Sequence, residues 1–333
     1  MSSSNVGVSL SGIHKVLPCR ESPYADEAEA IVRDFAASYG LMPANFEDYN
    51  TMSRFLYPGA VSPKRLAAAC MVHSLFLFID GLFFDFDNIR PENHGIDPAL
   101  RSDPSSLVMF IWELMHIFRT RNLPPEPTTL QHAFCYAGDY VAHAAGDELW
   151  FQYFVDTVED YIDAVLYRSR NLDQPTEDLF SFAELRERDT GGLYTCRLIE
   201  LTNDITLPEE VRDLGILQTL TTIAIRHASF IKDIFLYPID ALDESNTLNL
   251  VKRYMDYEDF SVEEAMQEAI DLVNSYTNGF LNLERGLNGG PEAIRYVQGL
   301  KEMFSGNIYW QLTTERYRLE EFLFRKLPLE YFE

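Results

Sequence analysis

Leu75-Phe76-Leu77-Phe78-Ile79-Asp80-Gly81-Leu82-Phe83-Phe84-Asp85-Phe86-Asp87-Asn88 sets three acids inside an aromatic and aliphatic run. An ionised carboxylate is costly to bury without a partner. Such acids call for a cation, and a divalent metal at the mouth of an apolar cavity answers that need. Just upstream, Ser62-Pro63 supplies an N-cap hydroxyl and a proline at the first helical position. A helix is therefore expected from Lys64 to about Asp87. On it Asp80, Phe83, Phe84 and Asp87 share a face. Asp85 lies about 140° around from Asp80 on an ideal helix, and meets the same ion only if the helix end distorts. Asp85 and Asp87 serve equally well as caps of that end.

Outward from this helix the pattern stays helical. The Pro-, Asn- and Gly-rich stretch from Asn88 to Ser106 is a loop, followed by a helix from Leu107 to Thr120 and a break at Leu123 to Pro127. Thr129 to Arg168 reads as one or two long helices. Breaks follow at Asn171 to Glu177 and Asp189 to Gly192. A long helix is expected from Glu209 to Leu236, interrupted at Pro238, with further helices at Ser261 to Phe280 and Pro291 to Lys326. No segment alternates as a strand does, and neither an internal repeat nor a domain linker is evident. The expectation is one all-α domain over residues 23–333, preceded by a loose leader at 1–22.

The 333 residues are 47% hydrophobic, enough for a large core, and 13% aromatic, more ring surface than a core needs. A net charge of −25 repels nucleic acid and anionic membrane, so neither is expected as a partner. The apolar run is too short and acidic to span a bilayer, and the N-terminus has no signal-peptide pattern. Cys19, Cys70, Cys135 and Cys196 are too scattered for a zinc site or a redox dithiol. They read as buried thiols in a reducing compartment, and the protein as cytoplasmic. The histidines, His73, His116 and His143 among them, show no metal spacing and read as structural.

Three further clusters carry chemistry. Lys232-Asp233-Ile234-Phe235-Leu236-Tyr237-Pro238-Ile239-Asp240 puts positions 232, 236 and 240 on one helical face. Arg186 lies in Phe182-Ala183-Glu184-Leu185-Arg186-Glu187-Arg188-Asp189-Thr190-Gly191-Gly192, where a helix breaks at the glycines. Gly306-Asn307-Ile308-Tyr309-Trp310-Gln311-Leu312-Thr313-Thr314-Glu315-Arg316-Tyr317 lies near the C-terminus. In order and spacing these segments resemble the class I terpene synthases, from roughly Tyr57 to Arg318. That family has an aspartate-rich helix, a later N-D-x-x-S-x-x-x-E metal motif, a diphosphate-sensing Arg 46 positions before it and an R-Y pair about 80 after. Arg186 precedes Lys232 by 46 positions, and Arg316 follows it by 84. The chain departs from the family at Gly81, which replaces the second acid of the first motif. In the second, Lys232 replaces Asn, Leu236 replaces Ser and Asp240 replaces Glu. Asn203-Asp204-Ile205 mimics that motif only 17 residues after Arg186 and reads as a loop.

The resemblance implies a helical bundle around a central apolar cavity and a cyclase that ionises an isoprenyl diphosphate, farnesyl diphosphate first, with two or three Mg²⁺. It implies metal ligands at Asp80, Asp85, Asp233 and Asp240, and diphosphate contacts from Arg186, Lys232, Arg316 and Tyr317. Arg186, Asp189 and Thr190 would assist ionisation, with Gly191 beside them. Phe76, Leu77, Phe83, Asn307 and Trp310 would form cavity wall. Few polar residues near the motifs favour a hydrocarbon product of humulene or germacrene type. Two other readings stay open: an isoprenoid-binding homologue without activity, and a prenyl chain-elongating transferase. A homodimer is compatible with the sequence.

Overall fold

The computed structural model describes residues 12–13, 16–41, 46–84, 100, 103–171, 178–241 and 248–314. Among them every regular element is helical. The first three helices are α1 (Ala25–Ser38), α2 (Phe46–Leu56) and α3 (Pro63–Phe84). The Ser62 hydroxyl accepts from the Arg65 amide at 3.3 Å, as the Ser-Pro start requires. α3 is apolar on every face, so it needs neighbours all round. It has them: its residues from Leu66 to Phe76 are buried, as are Phe78 and Ile79.

Next come α4 (Pro104–Thr120), α5 (Thr129–Ala145) and α6 (Glu148–Arg170). Asp103 caps α4 through the amides of Ser105 and Ser106, so that helix starts earlier than Leu107. The expected block from Thr129 to Arg168 is two helices. Gly146, with φ 69°, ends the first, and Asp147 caps the second. Then α7 (Leu179–Asp189) and α8 (Gly192–Thr202) flank a break at Thr190-Gly191. The long helix expected from Glu209 is also divided, into α9 (Glu209–Arg212) and α10 (Gly215–Asp240). Pro238 does not interrupt α10, which runs through it to Asp240. A proline costs one ladder bond and a steric clash, and in the final turn little helix remains to be lost. The chain closes with α11 (Leu250–Glu258), α12 (Val262–Leu283) and α13 (Gly290–Thr313). Residues 315–326, the rest of the expected last helix, lie outside the described residues.

α8 sits at the centre, packed against α3, α6, α10 and α13, and α2 lies across α3 and α13. Part of the expected loose leader is tied down. Ser305 exchanges hydrogen bonds with the Leu17 backbone, Arg20 pairs with Glu302, and the Ser22 amide donates to the Arg54 carbonyl. Gly306 lets α13 press onto α2, since a Cβ there would overlap the Phe55 carbonyl oxygen.

Candidate active site

A hollow opens between α2, α3, α10, α13 and the start of α8. Met52 and Leu56 come from α2, His73 from α3, and Gly192, Tyr194 and Thr195 from α8. Ala228, Ser229 and Lys232 come from α10, and Met303, Asn307, Trp310 and Gln311 from α13. Thr190 enters from the α7–α8 break. Of the expected wall residues, Asn307 and Trp310 line this space. Asn307 is fixed by its bond to the Ala228 carbonyl at 3.3 Å, and the Trp310 indole donates to Thr51 Oγ1 at 3.2 Å. Phe76 is not among the residues that line the hollow. It stands behind the wall, fully buried among Phe118, Phe134 and Tyr194. The side chains of Leu77 and Phe83 lie outside the described set.

The break is built by Gly191, whose φ of 71° suits a residue without Cβ. A Cβ there would also strike the Tyr194 ring. Thr190 Oγ1 donates to the Arg186 carbonyl at 2.6 Å and shares a 2.7 Å hydrogen bond with Ser229 Oγ, which pins the break to α10. The Gly191 carbonyl accepts from the Thr195 amide and hydroxyl at 3.1 and 2.9 Å. It therefore serves α8.

Arg186 and Asp233 meet, but as an ion pair. The guanidinium lies beneath the break, 3% exposed, and is not among the lining groups. Its Nη1 donates to both Asp189 oxygens at 2.8 and 2.7 Å. Its Nε reaches Asp233 Oδ2 at 3.3 Å, and Nη2 donates to Asp233 Oδ1. Arg168 closes on Asp189 at 3.2 Å, so two cations face two anions. Asp233 Oδ2 also accepts the Leu250 amide at 3.1 Å. Burial opposes the charge on Arg186, yet Asp189 and Asp233 outweigh it and raise its pKa. Burial pushes the Asp233 carboxyl up to about 6, with Arg186 pulling it back. Asp233 is thus occupied as the anchor of Arg186 and α11, and Asp189 holds two arginines. In this arrangement neither acid presents itself to a ligand in the hollow.

Asp240 is the acid left on α10. Its Oδ2 accepts from Asn249 Nδ2 at 2.8 Å, and burial raises its pKa against the pull of Asn249, Arg186, Lys232 and Lys252. With Lys232 and Leu236 at the other two positions of that face, α10 offers one carboxylate where a metal cage needs several donors. Among the described side chains no three acids, histidines or cysteines converge. Asp80 belongs to α3 by its backbone, but its side chain lies outside the described set, as do Asp85, Arg316 and Tyr317 entirely.

Composition and spacing did not single out His73, Tyr194, Ser229 or Gln311. One signal was available for His73. It precedes Asp80 by seven residues, two helical turns, and so lies on the same face of α3.

Residues 82–278 match the family described as terpene synthase family 2, C-terminal metal binding. The chain belongs to that family. Among curated relatives of this family-2 chain, sesquiterpene synthase 3 of Postia placenta is 31% identical over 207 residues, covering 57% of this chain and 56% of its own. Sesquiterpene synthase Agr1 of Cyclocybe aegerita is 29% identical over 50% of this chain and 49% of its own. The chain thus spans about half the length of these relatives. Germacrene A synthase of Nostoc punctiforme is 22% identical over 92% of this chain and 94% of its own. The crystal structure of 2-methylisoborneol synthase from Streptomyces coelicolor, in complex with Mg²⁺ and 2-fluoroneryl diphosphate, superposes with a TM-score of 0.76. It is 14% identical and covers 94% of this chain and 98% of its own. An α-eudesmol synthase structure gives a TM-score of 0.72 at 17% identity, over 90% and 98%. The fold of the family-2 chain is the all-α one of these synthases. None of its described helices is long and apolar enough to cross a membrane.

Proposed function

We propose that this protein is a sesquiterpene cyclase that ionises farnesyl diphosphate and closes the allylic cation into a ring. The observation that carries the reading is the hollow itself. Met52, Leu56, Tyr194, Met303 and Trp310 give it apolar and aromatic surface, with Thr195, Asn307 and Gln311 among them, and Lys232, Thr190 and Ser229 stand at the edge of a helix break. Curated relatives named as sesquiterpene synthases support the substrate class.

The roles follow from chemistry. Lys232, with Arg316 and Tyr317 from the C-terminal motif, would grip diphosphate oxygens through charge-assisted hydrogen bonds. Lys232 brings a fixed positive charge to a position where the family carries a metal ligand. Arg186 supports the same region through its hold on Asp233 and the break. Ring faces such as Trp310 and Tyr194 stabilise a carbocation by roughly 0.5–2 kcal/mol each, and side chains lacking nucleophiles protect it from capture. Asp80 and Asp85 of the acidic segment, together with Asp240, are the groups we assign to metal. A divalent ion held there would offset the charge of the departing diphosphate.

The test is incubation of the purified chain with geranyl, farnesyl and geranylgeranyl diphosphates, with and without Mg²⁺, followed by analysis of volatiles. Cyclic fifteen-carbon products from farnesyl diphosphate, dependent on the metal, are expected. Longer diphosphates formed only with added isopentenyl diphosphate would make it an elongating transferase. Tight binding without turnover would make it a binding homologue, a reading favoured by the engagement of Asp233 with Arg186.

A further inference from the structure

We propose, on the cyclase reading above, that Ala228 sets the prenyl chain length the hollow accepts: its methyl-sized side chain keeps the inner end open to a fifteen-carbon substrate.

Burial along α10 shows which face meets the hollow. From His227 to Phe235 every residue is buried except Ala228 and Lys232, which are half-buried. Those two line the hollow, and four residues apart they share one face of the helix. One turn farther inward Ala224 and Ile225 are buried, so the open space along α10 stops at Ala228. Ser229, beside it, is buried and holds its hydroxyl 2.9 Å from the Ile225 carbonyl and 2.7 Å from Thr190 Oγ1. The Ala228 methyl is therefore the innermost side-chain surface that α10 offers to a ligand.

The cyclase reading puts diphosphate at Lys232 and metal at Asp240. Ala228 lies about 6 Å farther along the axis from the charged end than Lys232, and about 18 Å from Asp240. It borders the space left for the hydrocarbon tail. Helical side chains lean toward the helix N-terminus, which on α10 is the inward direction. A longer side chain at 228 would lie across the inner end, toward the level of Met303, one turn below Asn307 on α13.

The walls around this position are fixed. Asn307 Nδ2 donates to the Ala228 carbonyl itself at 3.3 Å, which ties α13 to α10 at this height. Gly192 of α8 lies so close to α10 that a Cβ there would overlap the Ile225 side chain, and α2 is held to α13 at Gly306. Volume added at 228 therefore comes out of the hollow and not out of the helix spacing. Leucine adds three carbons, against the five by which a farnesyl chain exceeds a geranyl one, and a single methylene in an apolar pocket already shifts selectivity by roughly 10–200-fold. Ala228 takes no part in the chemistry and selects by size alone.

The test is internal competition. Geranyl and farnesyl diphosphates are supplied together at equal concentration with Mg²⁺, and ten- and fifteen-carbon volatiles are measured for wild type, Ala228→Leu and Thr222→Leu. Their ratio does not depend on the fraction of active protein. Thr222 is on the same helix but borders a different cleft, with Arg188 and Leu193. Ala228→Leu should raise the ratio of ten- to fifteen-carbon products at least tenfold, and Thr222→Leu should leave it unchanged. A folded Ala228→Leu protein whose ratio rises by less overturns the proposal, whether both activities persist or both fall together, and leaves the cyclase reading intact. An equal shift in Thr222→Leu overturns it too, since the effect then belongs to the helix and not to the hollow. A wild-type chain that turns over no farnesyl diphosphate overturns the cyclase reading and the proposal with it. Leucine is nearly as good a helix former as alanine; should thermal melts nevertheless show Ala228→Leu unfolded, Ala228→Val carries the same readout, with a shift of at least threefold expected and a smaller one overturning the proposal.

Discussion

Removing the Arg186 guanidinium, as in Arg186→Met, separates a structural role from a purely ligand-binding one. The substitution takes Nε and Nη2 from Asp233 and leaves that carboxylate only the Leu250 amide at 3.1 Å. Asp189 fares better, because Arg168 remains at 3.2 Å. The cluster passes from two charges of each sign to one excess anion in a site with almost no solvent. Breaking one side of a buried pair costs about 3–5 kcal/mol, and with one orphan rather than two we expect about 3–4 kcal/mol at pH 7.5 by urea denaturation. The penalty should shrink in acid. The orphaned Asp233 has a folded pKa raised above its unfolded value, so the folded variant binds more protons and gains stability as pH falls. At about 1.4 kcal/mol per pH unit the variant itself regains up to ~2.7 kcal/mol between pH 7.5 and 5.5, and the penalty shrinks by somewhat less, because Asp233 of the wild type also takes up protons near pH 6. Adding Asp233→Leu should also recover much of the loss, since an apolar pair replaces an unpaired charge. An Arg186→Met protein as stable as wild type at both pH values would refute the reasoning and return Arg186 to diphosphate contact alone.

Lys232→Ala should lower turnover at least tenfold and Lys252→Ala little, because Lys232 lines the hollow while Lys252 Nζ reaches the Asp240 carbonyl outside it; equal, small effects in steady-state assays would reject the diphosphate role. Gly306→Ala should lower the melting temperature by several degrees. Helix propensity alone favours alanine by about 1 kcal/mol, but the overlap with the Phe55 carbonyl costs about 1–3 kcal/mol and touches backbone that cannot step aside. Gly279→Ala in α12, with open space around its Cβ, should raise the melting temperature instead. His227 is fully buried against Phe304, neither ring nitrogen has a partner, and burial lowers its pKa to about 3. The unfolded chain therefore binds the extra proton as pH falls below about 6.5, and wild type should lose about 2 kcal/mol between pH 7.5 and 5 on this account. His227→Leu should flatten that slope in thermal melts, and an unchanged slope would reject the assignment.

Much of the fold was legible because helix starts are written locally. Ser62-Pro63 and Ser261 with Glu264 three residues on announce α3 and α12 through short-range hydrogen bonds. The 129–168 block read as one or two helices, since Gly146 and Asp147 break a pattern whose apolar period continues on both sides; the structure has two. Pro238 misled in the opposite direction, because a breaker in a final turn has little to break. At the site, spacing brought Arg186 and Asp233 forward together, and the structure joins them. Spacing cannot say whether a carboxylate will face a metal or a guanidinium, as that depends on side-chain direction across two helices. His73 read as structural from its spacing, and only the packing shows that it borders the hollow while its Nε2 meets the hydroxyl of Tyr57, sixteen residues away.

The contact at Gly306 sets which parts of this pocket can change. With backbone resting on backbone between α2 and α13, the spacing of those two rods is locked, and Asn307 next door inherits a fixed post. Met52, Leu56 and Met303 project into the hollow from that frame. On the proposed cyclase reading, a methyl added or trimmed there would redraw the mould in which a flexible chain coils while the two rods keep their spacing, at the stability cost of altering side chains that are themselves packed.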